Sequence, residues 1–190
     1  KYQVDWLRQI IGAYNGKAKV IFYYAGHGIP DESNKTAYLL PIDGYGSDVN
    51  TGYKLDDLYA TLGKMPTQSV TVILDACFSG TKREGDMLAN ARGVAIRVKS
   101  GVPQGNMVVF SAAQGDETAY PNSEQEHGLF TYYLLKKLQE TKGEVSYQQL
   151  SDYVTRQVRQ QSLVLNGKSQ TPTIISSPNI ADEWKLWTLK

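Results

Sequence analysis

Two short runs do most to limit the fold. Residues 19–25, KVIFYYA, and the apolar core of SVTVILDACFSG at 69–80 are built from β-branched, aliphatic and aromatic side chains. Each run is closed by glycine, as Gly26-His27-Gly28 after the first and Ser79-Gly80 after the second. Neither alternates in the way a half-exposed strand does, so both suit strands buried on two faces, the condition inside a parallel sheet covered by helices.

Helical periods fall around these runs. Val4, Leu7, Ile10 and Ile11 recur at helical spacing, with Trp6 beside them and Gly16 as a stop, which predicts a helix over 2–14. Leu55, Leu58 and Leu62 share one face ahead of Gly63 and predict another over 54–63. MVVFSAA at 107–113 reads as a further strand, and GLFTYYLLKKLQET at 128–141 and SYQQLSDYVTRQVRQQS at 146–162 read as helices. In AYLLPID, Pro41 argues for an edge or irregular strand, and the tail, with Pro172, Pro178 and EWKLWTL, holds at most one edge strand. Strands alternating with helices predict the α/β class, a mostly parallel central sheet with helices on both faces. Ligands of such sheets gather outside the carboxyl ends of the strands. His27 is expected just past one such end and Cys77 at or just beyond another.

The 190 residues fit one domain, 1–190. Twenty basic against nineteen acidic side chains, a formal charge of +1 and no dense Lys/Arg cluster argue against a nucleic-acid partner. No apolar run approaches the roughly 18 residues of a membrane helix, so a soluble protein with no membrane partner is expected. A single cysteine cannot form an intrachain disulfide, which leaves the compartment open between cytoplasmic and secreted. The opening KYQVDWLRQIIGAYNGK has no signal-peptide pattern and begins in mid-helix without methionine, as a fragment or a processed product would.

Cys77 has Asp75 before it and Ser79-Gly80 after it, a polar, turn-prone setting that a cysteine packed simply as a small apolar side chain does not need. A thiol attacks as the thiolate and requires a nearby base or positive environment. Of the two histidines, His127 in NSEQEHG reads as a solvated or capping residue. His27 stands between two glycines that let a substrate backbone approach, and it is the better base.

YYAGHG and DACFSG, in that order and with His27 and Cys77 fifty positions apart, resemble the catalytic dyad of the caspase and metacaspase superfamily of cysteine peptidases. The similarity continues through LLPID, MVVFSAA and GLFTYYLL, over residues 19–138. It implies a three-layer caspase-like sandwich with a large-subunit-like part at 1–81, a mobile basic loop at 82–105 and a small-subunit-like part at 106–190. It also implies that His27 polarises the scissile carbonyl and protonates the leaving amine while Cys77 forms the acyl-enzyme. The N–H groups of Gly28 and Cys77 would make the oxyanion hole, with no third side chain and no cofactor for the chemistry.

The substrate would be a peptide or protein. Caspases hold an aspartate with arginines near the catalytic pair, but Ala25 and Phe78 occupy the neighbouring positions here. Asp75 matches the acidic residue that metacaspases place two before the cysteine to receive Lys or Arg, with Asp116 in QGDETAY as a second S1 candidate and Ala25 as a further S1 position. Both carboxylates have an alternative as ordinary structural groups. Metacaspase-like enzymes often use calcium as an activator; Asp43, Asp56 and Asp57, with Glu84 or Asp86, are the expected ligands, though Asp56 and Asp57 suit a first helical turn equally well. The basic loop offers Lys82 and Arg83, and further on Arg92, Arg97 and Lys99, for self-cleavage. The family's first strand and helix would precede residue 1, so an N-terminal strand is expected to be missing from this chain, with a separate N-terminal fragment of the same precursor as a partner. Two rival readings are an inactive scaffold or regulatory domain and a thiol amidase acting on small molecules.

Overall fold

A computed structural model describes residues 2–78, 101–115, 117–122 and 125–190. Asp116, Lys82, Arg83, Glu84, Asp86, Arg92, Arg97 and Lys99 lie outside the described residues.

The first helix, α1 (Tyr2–Gly12), leads to β1 (Lys19–Pro30). Two short strands, β2 (Ala37–Leu39) and β3 (Tyr53–Lys54), and helix α2 (Leu55–Gly63) precede β4 (Ser69–Cys77). Then come β5 (Met107–Ser111), a hairpin of β6 (Pro121–Asn122) and β7 (His127–Gly128), helices α3 (Leu129–Thr141) and α4 (Tyr147–Asn166), and β8 (Thr173–Ser176). Six strands form one sheet in the order β3-β2-β1-β4-β5-β8. β1, β4 and β5 run parallel, while β2 pairs antiparallel with β1 and β8 with β5.

The sheet separates two cores. On one face Val20, Val70, Val72, Leu74, Met107 and Val109 pack with Ile11 of α1 and Leu55, Leu58 and Leu62 of α2. On the other, Ile73, Val108 and Phe110 meet Phe130 and Leu134 of α3 and Leu150, Val154 and Val158 of α4. Alternate residues of β4 thus serve opposite layers, and Val72 and Leu74 are wholly buried. Each such side chain contributes about 1.5–3 kcal/mol by leaving water.

Several boundaries differ from the sequence-based expectation. β1 does not stop at Ala25: it runs through Gly26-His27-Gly28 to Pro30, so His27 is inside the strand rather than past its end. The strand persists because it changes partner there, pairing parallel with β4 up to His27 and antiparallel with β2 from Gly28. β2 ends before Pro41 and has a neighbour on each side, with two-residue β3 outside it. α4 reaches Asn166, started by a capping box of Ser146 and Gln149 and stopped by Gly167 at φ 64°. Its last turn exposes Leu163, Val164 and Leu165, so no one-sided apolar stripe marks that extension. Among the described residues no helix is long and apolar enough to cross a membrane.

Candidate active site

The β1–β4 ladder sets the site. Lys19 pairs with Ser69, and the unbroken register ends with Ala25 opposite Asp75 and His27 opposite Cys77. Neighbouring strands are about 4.8 Å apart and paired residues project to the same face, so the imidazole and thiol leave the sheet side by side. That face is the α3/α4 side, where half-buried Cys77 packs against the core. Gly28 is required here, since a Cβ would lie 2.4 Å from the Phe78 ring and 2.5 Å from the Cys77 carbonyl oxygen.

A segment after β5 also reaches the sulfur. The Ala119 N–H donates to Cys77 Sγ at 2.7 Å, and Sγ lies 3.4 Å from the Ala119 carbonyl oxygen, in position to donate when protonated. Ala119 is fully buried. A backbone donor aimed at sulfur is suited to stabilising negative charge there. Gln170 holds this segment at both ends: its Oε1 accepts from Tyr120 N–H and its Nε2 donates to Ala112 O, each at 2.9 Å. Glu117 adds a second tie by accepting from the Thr171 N–H and hydroxyl.

Asp75, 1% exposed, accepts from the Thr131 hydroxyl at 2.6 Å and from the Thr131 N–H at 3.3 Å. Thr131 belongs to the first turn of α3, where a carboxylate also meets the positive end of the helix. Gly128, just before α3, is pressed against this carboxylate: a Cβ there would lie 2.0 Å from Asp75 Oδ2. The Tyr23 hydroxyl lies 2.9 Å from Thr131 Oγ1. The threonine proton goes to the carboxylate, so the tyrosine is the donor in that pair.

On the opposite face, the Tyr24 hydroxyl lies 2.8 Å from the carbonyl oxygens of both His27 and Leu40 and shares its single proton between them. Burial pushes its phenol above the ordinary tyrosine value.

The other expected residues are placed differently. Ala25 is exposed beside Asp75. His127 is exposed in the β6–β7 hairpin. Asp43 is exposed, Asp56 accepts from the Gly101 N–H at 2.7 Å, and Asp57 belongs to the first turn of α2. Among the described residues no group of three or more His, Cys, Asp or Glu side chains could hold a metal ion. Asp43, Asp56 and Asp57 therefore do not form a calcium site by themselves, and Glu84 and Asp86 lie outside the described residues. Tyr24, Ala119, Thr131 and Gln170 were not singled out from the sequence. Only Tyr24 carried a signal, in its place just ahead of Gly-His-Gly.

A family model described as Caspase domain matches residues 4–182. The chain belongs to the caspase-domain family and has its cysteine-peptidase-like fold. Among solved structures it is similar to protein GSU0716 from Geobacter sulfurreducens, with 19% identity, TM-score 0.56, and 91% of this chain and 72% of that one covered. It is also similar to caspase-1 from Spodoptera frugiperda, with 16% identity, TM-score 0.59, and 91% and 67% covered. No curated protein matches the sequence.

Proposed function

We propose that the protein is a cysteine endopeptidase that cleaves peptide bonds after Arg or Lys through an acyl-enzyme on Cys77, with His27 as its acid–base partner. The register that puts His27 opposite Cys77 carries this reading. His27 takes the thiol proton as Sγ attacks the scissile carbonyl carbon, the tetrahedral oxyanion is met by the N–H groups of Gly28 and Cys77, and His27 passes that proton to the leaving amine as the C–N bond breaks. Water then attacks the thioester, with His27 taking its proton, and releases the carboxylic acid.

Preference for a basic residue is supported by the carboxyl group of Asp75 beside exposed Ala25, with Asp116 as a further S1 candidate. The Thr131 contacts favour a second reading, in which Asp75 serves α3 and substrate choice lies elsewhere. Arg- and Lys-ended fluorogenic peptides are expected to be turned over far faster than an Asp-ended one, and Cys77→Ala to abolish turnover. Equal rates on all three would remove the basic preference, and no turnover of any peptide by folded protein would favour the scaffold reading.

The expected N-terminal partner has support in β1. Among the described residues its outer edge from Lys19 to Gly26 pairs with no other strand, while Ile21 and Tyr23 stand half exposed. Such an edge invites another strand, here from a separate fragment of the same precursor, released by cleavage after a basic residue. Self-cleavage at Lys82 or Arg83 would follow the same specificity. Intact mass of purified protein tests both; a single uncut species would sink the idea. Calcium enters none of these steps. As an activator it is tested by assaying turnover with calcium and with chelator.

A further inference from the structure

We propose that Tyr24 is the residue that positions His27, acting through the backbone from the face of the sheet opposite to the thiol. The inference rests on the Cys77–His27 reading and concerns how the base is held. His27 is flanked by Gly26 and Gly28, the residue type with the widest backbone freedom, at the point where β1 leaves β4 for β2. An imidazole carried between two glycines is held more precisely when its peptide group is also fixed from outside the strand pair.

Tyr24 does this with one hydroxyl. Three residues before the histidine, its ring folds back over Gly26, and Oη reaches the His27 and Leu40 carbonyl oxygens at 2.8 Å each. The Leu40 N–H donates to the same His27 carbonyl at 2.9 Å. The peptide that follows the imidazole is thereby tied to the chain leaving β2. The first glycine of the motif has a specific part in this, because a Cβ at Gly26 would meet Tyr24 Oη at 2.7 Å and Cζ at 2.9 Å. Small displacements matter at such a place, as an error of about 1 Å in a reacting group can cost roughly a hundredfold in rate.

The test uses Cys77, the only cysteine, as its own probe. Iodoacetamide alkylation is followed across pH in wild type, Tyr24→Phe, Gly26→Ala, His27→Ala and the Tyr24→Phe/His27→Ala double variant, with near-ultraviolet circular dichroism to check folding. His27→Ala is expected to move the half-maximal pH toward the roughly 8.5 of a free thiol. Tyr24→Phe should move it the same way and slow alkylation at neutral pH on the order of tenfold, below the full cost of a misplaced group. Gly26→Ala, which displaces the hydroxyl without removing it, should act likewise and stands in if Tyr24→Phe does not fold. In the His27→Ala background, Tyr24→Phe should change nothing.

A wild-type profile in folded Tyr24→Phe would overturn the proposal. So would equal slowing in the His27→Ala background, since the tyrosine would then act on the thiol without the histidine. A wild-type profile in His27→Ala itself would overturn the dyad and this proposal together, which separates that failure from the other two.

Discussion

β1 and β4 lie in register over nine residue pairs, yet they are embedded differently. In β4, Val70 to Ala76 are all buried, serving the α1/α2 layer and the α3/α4 layer by turns. In β1, Val20 enters the α1/α2 core, but Ile21 is 54% and Tyr23 49% exposed on the opposite face. The nucleophile therefore ends a strand locked by two cores, whereas the base lies within a strand locked by one. Close packing resists small shifts at Cys77, and at His27 the hydrogen bonds of Tyr24 and Leu40 to its carbonyl add to the strand pairing.

The comparison can be broken most directly by truncation. Leu74→Ala in β4 should cost about 2–5 kcal/mol, read as a fall in the denaturant midpoint. Ile21→Ala in β1 should cost less than about 1 kcal/mol. Equal losses would mean that the two strands are not embedded differently.

The ties around the nucleophile should come next. Gln170→Leu leaves the Tyr120 N–H and Ala112 carbonyl without their present partner, at about 1–3 kcal/mol. It should also alter the Cys77 alkylation rate, because Ala119 is the neighbour of Tyr120. A stability loss with unchanged alkylation would show that the Ala119 contact does not depend on this tie. Thr131→Val removes the hydroxyl from buried Asp75 at a similar cost of about 1–3 kcal/mol, whereas Tyr23→Phe should cost under about 1 kcal/mol because water reaches the tyrosine.

The smallest effect is a pH dependence. Burial raises Tyr24 above its ordinary value of 10.0. The neutral phenol's contribution is therefore complete below the unfolded value and is lost as pH rises through the folded one. Melting temperature should fall more steeply above about pH 10 in wild type than in Tyr24→Phe; parallel curves would show that the hydroxyl contributes nothing there.

Much of this arrangement was legible in the chain. The two apolar runs announced neighbouring strands, and Leu55, Leu58 and Leu62 announced α2, but of the two strands only β4 is buried on both faces, because among the described residues no helix buries Ile21 and Tyr23 of β1. His27 and Cys77 stood out because glycine and polar residues follow apolar runs there. Other features left no local trace. The extension of β1 through His27 depends on β2 arriving as a second partner, and the exposed last turn of α4 has no apolar stripe. Asp75 read first as a basic-pocket residue, with a structural role as the alternative; its bonds to Thr131, 56 positions away, came only with the packing of α3 against β4.

The sequence by itself determined that the chain would be α/β, that β4 would be buried on both faces and that Cys77 would stand at a strand end, since these follow from side-chain period and local backbone freedom. Tertiary structure alone decided the register of His27 with Cys77, the Ala119 N–H on the sulfur, the Gln170 tie and the Tyr24 clamp. Each of these joins groups whose sequence separation or folded-back geometry leaves no periodic signal, and each exists only because neighbouring elements bring a donor and an acceptor within about 3 Å of each other.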